Sequence, residues 1–146
     1  MNLGEMRTAL RIRCGFPAND TMHTDAALND LINAAVDQFA SEHRWPWLLT
    51  DVPATATAGV RTIPVPDNWT ATHSLVFQDG GRVEPGSLSD IDEWGADNAR
   101  GRPRYFNVDT GVILLAPVPD TTYSLTHRYY RMERHLEDPV EIPIPL

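Results

Sequence analysis

The chain has 146 residues, with 20 acidic against 12 basic residues, a formal net charge of −8 and a hydrophobic content of 42%. That length suffices for one domain with a single core, and the acidic balance excludes a protein that grips nucleic acid with its whole surface, because phosphate binding needs positive charge. One cysteine, Cys14, rules out an intrachain disulfide and a cysteine-based metal site.

The opening, Met1 to Arg7, lacks the apolar segment of a signal peptide. The longest apolar run, Val112 to Ala116, is far too short to span a membrane. A soluble protein made in a reducing cytoplasm is expected. Leu3, Met6, Leu10 and Cys14 recur at spacings of three and four, which predicts a short helix with one apolar stripe, stopped by Gly15 and Pro17. Arg7, Arg11 and Arg13 lie off that stripe and are expected in solvent or against a partner. Thr24 is a good N-cap for a second helix, with Asp25 in its first turn. Leu28, Leu31, Ile32, Ala35 and Phe39 make the expected apolar face. Trp45-Pro46-Trp47-Leu48 then ends the helical part, since proline cannot continue a helix and pushes its predecessor extended.

Strands are predicted over Leu49–Thr57, Arg61–Val65, Thr72–Gln78 and Arg82–Glu84. Pro53, Pro64 and Pro66 suit sheet edges, where a missing N–H does no harm. Asp79-Gly80-Gly81 signals a hairpin, because positive φ is needed there. A short helix, Leu88 to Trp94, capped by Ser87 or Ser89, interrupts the strands. Three further strands follow, through Gly101 to Phe106, Gly111 to Asp120 with Val112 to Ala116 at its centre, and Tyr123 to Arg131. Turns at Asp109-Thr110-Gly111 and Pro119-Asp120-Thr121-Thr122 make them an expected antiparallel meander. Val112 to Ala116 is apolar on both faces and so expects two covers, one of them a possible neighbouring protomer. The sequence therefore predicts an α+β fold: an N-terminal helix pair (1–47) packed on an antiparallel β-sandwich or meander (48–134) with a short inserted helix, and an extended C-terminal arm (135–146).

No pattern of catalytic chemistry stands out. His23, His43, His73, His127 and His135 include no i, i+4 pair of a helical zinc site, and His127 shares a strand face with Leu125 and Tyr129. Asp90, Asp92 and Glu93, with Asp97 nearby, lack the spacing of a calcium loop and read as acids favoured in the first turn of a helix. No nucleophile elbow, phosphate loop or dinucleotide fingerprint occurs. Neither a catalytic residue nor a metal ligand nor a cofactor is assigned. Arg100-Gly101-Arg102-Pro103-Arg104 contains the Arg-Gly-Arg-Pro core of an AT-hook. Its flanks are those of a loop entering a sheet, so Arg100, Arg102 and Arg104 are expected to make charge contacts with DNA or with an acidic patch on another copy. Pro139 to Leu146 holds three prolines. If extended, it aims Ile142, Ile144 and Leu146 to one side as docking residues.

The order of these features resembles the head-to-tail adaptor, or connector, proteins of tailed bacteriophages. The matching pieces are the Leu3-to-Cys14 helix, the segment Thr24 to Ala35, Trp45-Pro46-Trp47-Leu48 and Ile63-Pro64-Val65-Pro66-Asp67-Asn68-Trp69. They continue with Gly101-x-Pro103-x-Tyr105, Pro117-Val118-Pro119-Asp120 before Tyr123-x-Leu125, and Tyr129-Tyr130-Arg131. The resemblance implies a structural virion protein without catalysis, forming a ring, dodecameric in expectation, beneath the portal protein. DNA would pass through its centre, with non-specific contact, and a tail-side stopper or tail-completion protein would lie below. The location implied is the portal vertex or neck of the virion, reached from the host cytoplasm during assembly. Two other readings come from the residues alone: a carbohydrate-binding β-sandwich using Trp45, Trp47, Trp69 or Trp94, and a hydrolase using His127 and the acidic cluster.

Overall fold

The computed structural model describes residues 2–96 and 99–132, which fall into two compact units, one of residues 2–47 and one of Leu48–Met132. In the first, helix α1 (Leu3–Cys14) begins in a reciprocal capping box. Asn2 Oδ1 accepts from the Glu5 N–H at 2.9 Å, and Glu5 Oε2 accepts from the Asn2 N–H at 2.8 Å. It ends at Gly15, whose φ of 68° is the left-handed cap that glycine adopts without a Cβ penalty. Helix α2 (Asp25–Glu42) starts where predicted, with Thr24 Oγ1 accepting from the Ala27 N–H. Leu3 is buried against Met6 of α1 and Ile32 and Val36 of α2. Arg7 and Arg11 are not solvated side chains. Arg7 donates to Asn29 Oδ1, and Arg11 reaches the Pro17 and His23 carbonyls and Asp25, tying the intervening loop to both helices. Cys14 is exposed, not part of the apolar contact.

The second unit contains strands β1 (Leu49–Ala56), β2 (Thr62–Pro64), β3 (Trp69–Phe77) and β4 (Arg82–Pro85). After them come helix α3 (Leu88–Ala96) and strands β5 (Arg100–Gly101), β6 (Tyr105–Asp109), β7 (Val112–Ala116), β8 (Val118–Pro119) and β9 (Tyr123–Arg131). Seven strands form one sheet in the order β1-β9-β3-β4-β6-β7-β2, and β5 and β8 form a small pair. β1 and β2 are the outer strands of the seven, yet only residues 57–61 join them. A flat sheet would hold them about 29 Å apart, whereas that connection reaches at most about 21 Å. The sheet must therefore roll, and its concave face closes on one core. Ala56, Ile63, Leu75, Phe77, Val83, Phe106, Ile113, Leu115 and Leu125 draw on all seven strands.

Local signals hold well here. Gly80 and Gly81 have φ of 101° and 87° between β3 and β4, Thr110 and Gly111 have φ of 45° and 80° between β6 and β7, and Pro53 and Pro64 lie in the two edge strands. Ser87, not Ser89, caps α3, accepting from the Asp90 N–H while Asp90 accepts from the Ser87 N–H. Three expectations need correction. The sheet is mixed: β4 and β6 run parallel, as do β5 and β8. The final three strands are not a continuous meander, because β6 pairs with β7 but β9 inserts between β1 and β3. Pro66 lies outside any strand. The second face of β7 has a cover within the chain, since α3 packs on β6 and β7. The C-terminal arm (135–146), with Ile142, Ile144 and Leu146, and His135 lie outside the described residues.

Candidate functional site

The arginine loop is folded into the β unit. Arg100 and Gly101 form β5, paired with Val118 and Pro119, and the Arg100 guanidinium lies against Gly59. Pro103 is buried, so the Arg-Gly-Arg-Pro run is fixed structure. Arg102 grips Asp79 with both terminal nitrogens, at 3.0 and 2.7 Å, and donates to the Gly80 carbonyl at 2.7 Å. Its guanidinium stacks 4.0 Å over the Phe77 ring. One side chain thus pins the β3–β4 hairpin to the loop before β6. Arg104 lies 5.9 Å over Trp94, which also faces Tyr105. Among the described residues Arg104 makes no ion pair.

Between hairpin and loop runs an open groove of about 400 Å³. Phe77, Pro103 and Tyr105 give it apolar surface, Arg82, Arg102 and Arg104 give it positive charge, and Glu84 is its one carboxylate. Arg82 chelates Glu84 at 2.8 and 3.0 Å, which holds that carboxyl below its ordinary range. Sequence reasoning singled out Arg102 and Arg104 but not Arg82 or the groove. Arg82 and Arg104 are 22 positions apart, and the parallel β4–β6 pairing that brings them together leaves no local mark.

His127, Asp90 and Asp92, groups of the hydrolase reading, are each committed to local partners. His127 is 1% exposed on the inner face of β9. Its Nε2 meets Thr72 Oγ1 at 3.0 Å, Thr72 also accepts from Trp69 Nε1, and burial pushes the imidazole below its ordinary pKa. His73 is exposed beside Ser74. Asp90 is committed to the cap with Ser87, whose hydrogen bonds hold its carboxyl low, and Asp92 pairs with Arg61 at 3.2 Å. Among the described residues no three His, Cys, Asp or Glu side chains cluster to hold a metal, and no helix is long and apolar enough to cross a membrane. Three of the four tryptophans are engaged in separate local contacts. Trp45 stacks on Phe39 and donates to its carbonyl, Trp69 donates to Thr72, and Trp94 sits under Arg104.

The helical unit exposes what its sequence stripe would have buried. Leu31 and Phe39 are 58% and 49% exposed, Ala35 between them is exposed too, and Ile12 and Met22 stand at 76% and 82%. The inward row of α2 is Leu28, Ile32 and Val36 instead.

Comparison with known proteins adds one finding. The family model of the SU10 adaptor protein matches residues 1–145. No curated protein matches the chain. The match spans nearly every residue and agrees with the resemblance carried by the sequence motifs. The chain belongs to the SU10 adaptor protein family, structural head-to-tail adaptors of bacteriophages that act in virus assembly.

Proposed function

We propose that the protein forms a ring, dodecameric in our reading, beneath the portal and joins the DNA-filled head to the tail, with the genome passing through its centre. The family match over residues 1–145 carries this reading. Its partners are further copies of itself, the portal protein and a tail-side stopper or tail-completion protein. It works at the virion neck after assembly in the host cytoplasm. The role is structural, with no catalysis, which accords with a buried, hydrogen-bonded His127 and acids spent on a cap and an ion pair. A net charge of −8 suits a conduit, because a wall that bound phosphates tightly would hold the duplex. Arg100 and Arg104 are the side chains proposed for loose charge contacts with DNA or a neighbouring copy, while Arg102 already has Asp79. Ile142, Ile144 and Leu146 are proposed to dock on the portal or on a neighbour. Reconstruction of the virion neck by electron cryomicroscopy is the test. A symmetric ring of this chain between portal and tail is expected, and its placement anywhere else overturns the reading.

A further inference from the structure

We infer that copies of the chain join through their helical units, the outward row of α2 on one copy lying against the outward face of α1 on the next. The inference rests on the ring reading and specifies one contact within it. Ala27, Leu31, Ala35 and Phe39 recur every four residues and so form one ridge along α2. All four are exposed, Phe39 even though it stacks on Trp45. Ile32 and Val36, on the other side of the helix, pack on Leu3 of α1. The outward side of α1 is a shallow depression of about 650 Å³, lined by Gly4, Thr8 and Ala9 and, toward the C-terminal end of the helix, by Ile12. A ridge of side chains four apart on one helix packs into such a hollow on another. Leu31 and Ile12 are 58% and 76% exposed, and the contact would bury both.

Charge decides which surface covers the row. α2 carries Asp25, Asp30, Asp37 and Glu42 and no basic residue, a net −4. α1 carries Arg7, Arg11 and Arg13 against Glu5, a net +2, and Glu5 is engaged in the N-terminal cap. A two-fold contact of α2 on α2 would set like charges together, and the same row would repel DNA phosphates. α2 on α1 sets opposite charges together. Within one copy that attraction is already used where Arg11 pairs with Asp25 at 3.0 Å. Two charges are left over. Arg13 and Asp30 are exposed, and neither makes an ion pair among the described residues. Each borders the surface it would serve: Arg13 follows Ile12 and stands four residues from Ala9, and Asp30 precedes Leu31 and stands four from Ala34. A contact between two different faces is head-to-tail. It leaves an α1 face open at one end of a pair and an α2 row at the other, and further copies add until the rotation closes a ring.

The test uses virions whose adaptor is full length and carries a photo-crosslinking amino acid in place of Gln38, an exposed position seven residues beyond Leu31 on the same face of α2. Irradiation is expected to give a covalent dimer on a denaturing gel, with crosslinked peptides joining α2 of one copy to residues 4–13 of another. Adding Leu31→Asp should cut dimer yield about tenfold. Asp30→Arg should cut it about threefold, and Arg13→Asp in the same chain should restore it. Crosslinks confined to the monomer band, joining α2 to α2, or reaching the portal protein or residues beyond 47 overturn the inference. An unchanged yield in Leu31→Asp or Asp30→Arg overturns it too, and a loss in Asp30→Arg that Arg13→Asp does not repair sinks the charge pairing. Where a variant fails to enter virions, the crosslink map of the chain altered only at Gln38 still decides. The neck reconstruction reports separately on the ring, so a ring with crosslinks elsewhere sinks only this contact.

Discussion

The two units differ in how completely each buries its own apolar residues. The β unit closes a sheet round nine buried side chains drawn from seven strands. The helical unit buries Leu3 and Leu28, while Ile12, Met22, Leu31 and Phe39 stay exposed. Two helices have one contact seam between them, and the remaining apolar surface has nowhere to go within the pair. The β unit has the core of a self-sufficient scaffold; the helical unit shows the kind of apolar surface expected where a partner completes burial.

The largest effect expected is in the β core. Leu115→Ala removes a fully buried side chain and should cost about 2–5 kcal/mol, read as a lowered denaturant midpoint. If Leu31→Ser in the helical unit proved equally damaging to the free protein, the contrast between the units would collapse. His127 sharpens it through pH. Burial lowers its folded pKa below 6.5, so the unfolded chain binds the proton more readily. The stability linked to His127 should be complete above pH 6.5 and fall as pH drops from there toward the folded pKa. Unfolding followed across that window in the natural protein and in His127→Gln, where the slope should vanish, checks the assignment.

Smaller effects come next. Thr24→Ala removes the α2 cap and should cost the helical unit about 1 kcal/mol, seen as faster amide exchange in α2 with β-core exchange unchanged. Thr110 holds φ of 45° in the β6–β7 turn, a region costly for a branched residue. Thr110→Asn should therefore stabilise the β unit by roughly 0.5–1 kcal/mol in a thermal melt. Least of all, Ile12→Ser, at a side chain 76% exposed, should change the stability of the free chain by no more than about 0.5 kcal/mol while reducing its incorporation into virions. Normal incorporation would mean that the exposed helix face takes no part in assembly.

What the sequence disclosed follows the reach of each signal. Thr24, Gly80-Gly81 and the edge prolines Pro53 and Pro64 act through backbone geometry within a few residues, and each sits where it was expected. The apolar period of α2 marked a stripe but not its orientation, because Leu31 and Val36 satisfy the same spacing and only tertiary contact chooses between them. The parallel β4–β6 pairing and the insertion of β9 are long-range choices that no local pattern records. For the same reason the arginine loop was visible as a motif, while the Asp79 that holds Arg102 and the groove beside it were not.

The prolines of the outer strands have a consequence for crowding. Assembly would set many copies of this chain side by side at very high local concentration, the condition under which an open strand edge recruits another and the pairing spreads without limit. β1 presents Pro53 and β2 presents Pro64, each lacking the N–H that an incoming strand would need. Copies packed shoulder to shoulder are thus discouraged from fusing their sheets, and association is left to side chains, whose geometry can specify where it stops.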